Sequence, residues 1–392
     1  MAGPLSGIRV LDLSRILAGP WAGQCLADLG ADVIKVENPN GGDDTRTWGP
    51  PFFNEGETNL SAYYMCANRG KRSVAIDITT PEGQVLVREL AAKSDIVIEN
   101  FKVGGLKKYG LDYEGLSAVN SGLIYCSITG FGQTGPYANR PGYDLLIQAL
   151  GGLMSITGEA DGVPGGGPQR AGVAVTDLFT GLYSTIAILG ALHHREKTGE
   201  GQHIDMSLLD TQVAVLANQG SNYLVSGKAP KRQGNSHPTI VPYQSFKTKD
   251  GYMILAVGND GQFARFCAAA GMPALAEDER FKTNPSRVAH RDALVPIVAG
   301  IIAGKTTDEW VGVLEAANVP GGPINTIDRV FDDAQVKARG LALTLEGEGG
   351  VTLPSVASPI RYSKTKIEYK KAPPKLGQDT AAVLHDVLGI KS

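Results

Sequence analysis

Cysteine is scarce in this chain. There are four, Cys25, Cys66, Cys126 and Cys267, and no two stand in a CxxC spacing. That excludes a disulfide-stapled fold and a cysteine-held zinc site, and the thiols are read as reduced. The six histidines are scattered apart from His193-His194, and adjacent residues on a helix do not share a face. An excess of charge of one sign is also missing: 37 Lys+Arg against 40 Asp+Glu leave a net charge of −3. No broad field therefore favours nucleic acid or an anionic membrane. Long apolar runs are lacking too, since the most apolar stretch, Leu178 to Leu192, falls short of the roughly 20 residues of a membrane span. Met1 leads through a short Gly/Pro turn into strand-like GIRVLDLSR, with no cationic segment followed by an apolar signal core. A cytoplasmic protein is expected, with neither nucleic-acid nor membrane partners and no metal.

Glycine, by contrast, is abundant: 50 of 392 residues, against roughly 7% on average. The excess is scattered, which points to tight turns and close backbone approach to something bound. Hydrophobic residues make up 42% and charged residues 20%, enough for a sizeable core in two or three domains.

Strand-like and helix-like patterns alternate over the first two hundred residues. IRVLDLS (Ile8 to Ser14), ADVIKVE (Ala31 to Glu37), SVAIDI (Ser73 to Ile78), DIVIENF (Asp95 to Phe101) and LIYCSITGF (Leu123 to Phe131) read as strands. Helical patterns lie between them, at Trp21 to Gly30 and in GQVLVRELAAKS. This predicts a parallel, doubly wound α/β sheet. Further helices are expected at Tyr143 to Met154 and from Asp177 to Glu196. The polar stretch GKAPKRQG (Gly227 to Gly234) reads as a linker into a smaller α+β domain. That domain opens with a hairpin turning at Lys249-Asp250-Gly251. The boundaries are placed at 1–226 for the large domain, completed by 331–392, and 227–330 for the small one.

Familiar cofactor motifs fail on inspection. The first turn, SRILAGPWAG, lacks GxGxxG although Glu37 ends the second strand, so a dinucleotide oxidoreductase ranks last. AGKTT (Ala303 to Thr307) lacks the first glycine of a P-loop, having Ala299 there, and it closes a helix. No GxSxG occurs.

Several segments, in order along most of the chain, resemble the class III CoA-transferases. They are PLSGIRVLDLSRILAGP, LADLGADVIKVENPNGGDDTR, NRGKRSVAIDITTPEG, IVIENFKVGGLKKYGL, IYCSITGFGQTGP, GYDLLIQALGGLMSITG, AGVAVTDLFTGLYSTIAILGAL and KTGEGQHIDMSLLD. GGDDTRTWGPPF and SHPTIVPYQSFKTKDGY are most similar to the succinyl-CoA-dependent dicarboxylate branch, the glutarate enzymes in particular. The resemblance implies a Rossmann-like large domain, a smaller second domain and two chains interlocked like rings in a homodimer. It also implies transfer of CoA from an acyl-CoA, succinyl-CoA in this branch, to a carboxylic acid. CoA and its thioesters are then substrates, with no tightly bound cofactor. Formyl-CoA:oxalate-type and carnitine-type transfer, α-methylacyl-CoA racemisation and non-catalytic acyl-CoA binding are the alternatives.

The family nucleophile falls on Asp177, where an anhydride and then an aspartyl-CoA thioester are implied. Asp177 opens a long apolar helix, and the positive end of that helix is expected to keep it ionised. A plain helix N-cap is the bland reading of the same residue. Glycine N–H groups are expected to hold the tetrahedral oxyanions. Tyr143 stands where the racemases carry histidine; a phenol, ordinarily titrating at about 10, suits proton exchange at an α-carbon poorly. CoA-contacting positions carried over are Arg15, Leu17, Ala18, Ile76, Asp77, Ile78, Thr79, Asn100, Phe101, Gly105, Lys108 and Tyr143. Asn38 and Pro141 depart from basic residues of the formyl-CoA enzyme. Arg69, Lys71 and Arg72 form a basic cluster suited to CoA phosphates or to a solvated loop. For the far carboxylate of a dicarboxylate the candidates are Arg46, Arg170 and His237.

Overall fold

The computed structural model describes residues 3–390 except 368 and 370. The chain divides into two units: one runs up to Leu153, resumes at Ala171–Gly227 and takes in the C-terminal part from Ala334, and the other holds Met154–Arg170 and Lys228–Asp333.

The first unit is organised by six parallel strands: β1 Arg9–Asp12, β2 Asp32–Glu37, β3 Lys71–Ala75, β4 Ile96–Glu99, β5 Ile124–Thr129 and β6 Gln202–Ser207. Their order across the sheet is β3-β2-β1-β4-β5-β6. The chain thus starts in the middle, builds outward on one side, then crosses over and builds on the other. β1 and β4 flank the point where that direction reverses, which is where open α/β sheets form their binding crevice. Because both faces are covered, the inner strands are near-continuous apolar runs such as Ile96–Glu99, buried throughout.

One face is covered by α1 (Ala18–Asp28) and by the long helix α4 (Val175–Thr198), with Ala22, Leu26, Ile188, Ala191 and Leu192 in the core. The other is covered by α2 (Pro81–Ala92) and the C-terminal helix Thr380–Leu388 through Val87, Leu90 and Val383. α2 starts as its sequence suggests: Thr80 caps it by accepting the Gly83 N–H, and Pro81 fills the first turn. α4 and α1 approach closely at Gly181, where an added Cβ would stand 2.7 Å from the Ala18 carbonyl oxygen. By length and composition α4 is also able to cross a membrane, longer than the apolar stretch read from the sequence; in the fold its inner face is core.

The helix expected from Tyr143 to Met154 is two pieces, α3 (Asp144–Leu150) and a turn at Leu153–Ile156. The break comes at Gly151-Gly152. A Cβ on Gly151 would meet the Gln212 side chain at 2.3 Å, and Gly152 has φ +86°. Gln212 itself belongs to α5 (Leu208–Ala214), which follows β6.

The second unit is built on the hairpin Tyr243–Lys247/Tyr252–Ala256, widened by Gly321–Pro323. Helices Asp260–Ala269, Arg291–Ile302 and Thr307–Ala316 bury Phe263, Phe266, Val298 and Trp310 against it. The stretch Met154–Arg170, read from the linear order as part of the large domain, joins this unit. There the Gly234 N–H donates to the Gly158 carbonyl at 3.0 Å, and Arg232 pairs with Asp161.

Candidate active site

The turn after β1 is held from below by buried charge. Asp12 takes the Lys71 ammonium at 2.9 Å and the Ser14 N–H at 2.9 Å. Lys35 donates to the Ser14 carbonyl at 2.7 Å and pairs with Asp43 at 2.9 Å. Burial works against charge at Asp43, but Lys35 outweighs it and holds the carboxyl at about 2. Burial also brings the Lys71 ammonium down to about 8, with Asp12 opposing. The basic cluster suggested for CoA phosphates is therefore committed to ion pairs within the fold. Lys71 is fully buried, Arg69 is locked onto Asp28 at 2.6 and 2.9 Å, and Arg72 pairs with Asp32 at 2.5 Å. The reason is that the sheet takes up Lys71 and Arg72 as the first residues of β3, earlier than the expected Ser73.

Above this network the carboxyl ends of β1, β2, β3, β4 and β5 open onto a cavity of about 580 Å³. Of the positions carried over for CoA, Arg15, Leu17, Ala18, Ile76, Ile78, Thr79, Asn100, Phe101, Gly105, Lys108 and Tyr143 all line it, as does Asp177. Asp77 is the exception: its carboxylate accepts the Thr79 N–H at 2.9 Å and the Thr79 hydroxyl at 2.7 Å, shaping the turn. Asn100 stitches two loops together, its Oδ1 accepting the Arg15 N–H at 2.9 Å and its Nδ2 donating to the Arg15 carbonyl at 2.7 Å. Asn38 and Pro141 also line the cavity.

Tyr143 reaches the cavity because Gly130 and Gly142 pack backbone to backbone. A Cβ on Gly142 would lie 2.5 Å from the Gly130 Cα. Tyr143 follows at once, 68% exposed.

Asp177 is the third residue of α4, and the N-cap position is Ala174, which offers no side-chain acceptor. The plain N-cap reading is excluded. The α4 N–H groups instead meet Asp144, whose Oδ1 accepts from Thr176 at 2.9 Å and from Asp177 at 3.2 Å. The Asp177 carboxylate is buried and accepts no hydrogen bond among the described residues. Burial first, and then the charge of Asp144, push its pKa up to about 7. The expectation that the helix end keeps it ionised is thus corrected: desolvation outweighs the helix end, whose donors are already occupied.

Arg46 does not line the cavity. Its guanidinium grips Glu37 at 2.7 and 2.8 Å and also donates to the Tyr64 hydroxyl and the Pro374 carbonyl, a buried brace in place of a carboxylate clamp. Arg170 and His237 belong to the second unit. There Arg170 is exposed, while the His237 ring accepts the Thr239 N–H at 3.2 Å and leans on Tyr243.

The structure adds residues that pattern reading passed over. Arg140 lines the cavity with its guanidinium 4.4 Å from the Tyr137 ring centroid and forms no ion pair among the described residues. Lys102 lines it as well, so among the described residues Arg15, Lys102, Lys108 and Arg140 are its cations. Tyr63, packed edge-on against Trp48, lies near enough that burial and then the Asp177 charge lift its pKa to about 12. Arg140 and Lys102 carried the usual signal of a basic residue beside a glycine-rich turn; nothing in the sequence singled out Tyr63.

Among the described residues no His/Cys/Asp/Glu cluster suited to a metal ion is present. A model of CoA-transferase family III matches residues 5–380. Succinate–glutarate CoA-transferase of Agrobacterium fabrum is 57% identical over 98% of this chain and 96% of its own length. Succinyl-CoA:glutarate CoA-transferase of Mus musculus is 47% identical over 98% of this chain and 86% of its own. The crystal structure of a CAIB/BAIF family protein from Brucella suis superposes with a TM-score of 0.89 at 53% identity, covering 99% of this chain and 100% of that one. Likeness of this extent spans the cavity, the sheet that carries it and the second unit alike, and on it the chain belongs to CoA-transferase family III.

Proposed function

We propose that the enzyme moves CoA from succinyl-CoA to a dicarboxylate, glutarate first among them, with Asp177 as the covalent carrier. The observation that carries this reading is the Asp177 carboxylate itself, desolvated and without a hydrogen-bond donor among the described residues, facing a cavity that gathers the CoA positions. The names of the relatives from Agrobacterium fabrum and Mus musculus support the choice of acids.

An Asp177 oxygen attacks the succinyl thioester carbon. The C–S bond breaks, the electron pair leaves on CoA thiolate, and a mixed anhydride remains. Thiolate then attacks the aspartyl carbonyl, the C–O bond breaks and succinate departs, leaving an aspartyl-CoA thioester. The acceptor carboxylate attacks that thioester, and the released thiolate attacks the acceptor's acyl carbon, restoring the Asp177 carboxylate. No net proton is consumed, and the thioester bond energy is retained as long as water is kept from the anhydride.

Arg15, Lys102, Lys108 and Arg140 suit the phosphates of CoA, being cations that line the cavity. A homodimer is part of the same reading: α4 exposes Phe179, Leu182, Tyr183 and Ile186, the last 62% exposed, an apolar stripe that a second copy would cover. Sedimentation velocity at micromolar concentration should give twice the chain mass; a monomer would count against it.

The function is tested by incubating the enzyme with succinyl-CoA and each candidate acid, from oxalate to adipate, and separating the CoA esters. Glutaryl-CoA should form fastest. Transfer to no dicarboxylate would remove the proposal.

A further inference from the structure

Two helices meet at one carboxylate. Oδ1 of Asp144, at the start of α3, accepts the N–H groups of Thr176 and Asp177 in the first turn of α4, and Oδ2 accepts the Gln148 amide at 2.6 Å. Gln148 Oε1 in turn accepts the Ala171 N–H at 3.0 Å, and Gln148 is buried. A closed chain of hydrogen bonds therefore ties α3 to both ends of the segment that leads into Asp177. On the other side, the Thr176 hydroxyl donates to Gln212 Oε1 of α5 at 2.7 Å.

We infer that Asp144 is a positioning residue for the transfer, pinning the turn that carries Asp177 while occupying the N–H donors that would otherwise stabilise the Asp177 carboxylate. The inference rests on Asp177 being the nucleophile. Its first consequence is geometric. Ala174 at the N-cap supplies no side-chain acceptor, so α4 begins where Asp144 sets it, and the nucleophile's backbone N–H is one of the two groups held. The second is electrostatic. Asp144 sits at the positive end of α4 and takes the benefit of the dipole, while Asp177 beside it is left desolvated next to a like charge. Anhydride and thioester formation both remove the charge on Asp177. A resting anion raised in free energy while its acylated forms are neutral is biased toward covalent capture. Among the described residues Asp144 is the charge that acts on Asp177; the Asp177 charge is in turn felt by Tyr63, from the turn Ala62–Met65. Burial keeps it neutral at working pH, so Asp144 supplies the charge that matters.

Two variants separate the consequences. Asp144→Ala removes acceptor and charge; kcat should fall about 100-fold, the scale of an ångström-sized misplacement, while KM for succinyl-CoA stays within about threefold because the CoA contacts remain. Asp144→Asn keeps an oxygen for the two N–H groups but no charge. It also sets an NH2 against the Gln148 amide that Oδ2 accepted, so it should recover only part of kcat, and it should move the acid limb of kcat/KM down by about one pH unit, the shift expected on losing a close like charge. An Asp144→Asn enzyme with an unmoved limb, or a folded Asp144→Ala enzyme with native kcat, would overturn the inference. If Asp144→Ala melts below assay temperature by circular dichroism, the limb of Asp144→Asn decides. Asp177→Ala is run beside them: turnover in that variant defeats the nucleophile assignment, whereas an inert Asp177→Ala with an indifferent Asp144 defeats only this inference.

Discussion

Ile16, a β-branched residue, lies at φ +73°, and the Asp43 carboxylate accepts its backbone N–H at 3.2 Å. A left-handed conformation of this kind costs about 1–3 kcal/mol and survives only where its surroundings impose it. Here the imposing group is a carboxylate paired with buried Lys35, and the strained residue lines the cavity between Arg15 and Leu17.

Asp43→Ala should therefore relax the turn. KM for succinyl-CoA should rise about tenfold, the cost of one lost hydrogen bond to a charged group, with kcat at saturation changed less. Stability should drop by about 3–5 kcal/mol, because Lys35 is left buried without its partner. Steady-state kinetics and urea unfolding check the two effects. The pH sign follows from Asp43 titrating at about 2 in the fold, against about 3.9 for an unfolded aspartate. Its stabilisation is complete above about pH 5 and is lost as pH falls toward 2. Asp43→Asn should be less stable than the native enzyme at pH 7, and the gap should narrow at pH 3.

Arg140 supplies a second prediction. Its guanidinium lines the cavity beside the Phe131 and Tyr137 rings, with no ion-pair partner among the described residues. Arg140→Ala should raise KM for succinyl-CoA about 10–100-fold, the value of a charge-assisted contact to phosphate. The same substitution should leave KM for succinyl-pantetheine, which lacks the nucleotide, within a factor of about two. Equal losses on both thioesters would place Arg140 away from the phosphates.

Much of this was legible from sequence, and the failures share a cause. The strands showed because a doubly covered sheet demands apolar runs, as in Ile96–Glu99. The turns after β1 and β4 showed through Arg15, Asn100 and Phe101, close in space though far apart in the chain. Pattern reading failed where one charge meets another across the fold. Arg46, Arg69 and Lys71 looked free for a substrate because Glu37, Asp28 and Asp12, their partners, lie elsewhere in sequence. Asp144 went unassigned in GYDLL for the same reason, since its meaning depends on Thr176 and Asp177, thirty-two and thirty-three positions on. Desolvation of Asp177 is likewise a property of the packed site and has no local signature.

That desolvation sets the pH dependence. Only the ionised carboxyl attacks a thioester, and Asp177 titrates at about 7. As pH falls through 7, kcat/KM for succinyl-CoA should fall, approaching tenfold for each further unit, and above about pH 8 it should be flat. A limb near pH 4 would show the carboxylate to be better solvated than its burial implies.

The decisive reading comes from the mass of the Asp177 peptide after the enzyme meets succinyl-CoA with no acceptor acid, followed by an acid quench and digestion. A peptide carrying CoA in thioester linkage, converted by hydroxylamine to the aspartyl hydroxamate and absent from Asp177→Ala, is the result expected. Rapid formation of glutaryl-CoA by an enzyme whose Asp177 peptide stays unmodified, or by Asp177→Ala itself, would contradict covalent transfer through this residue.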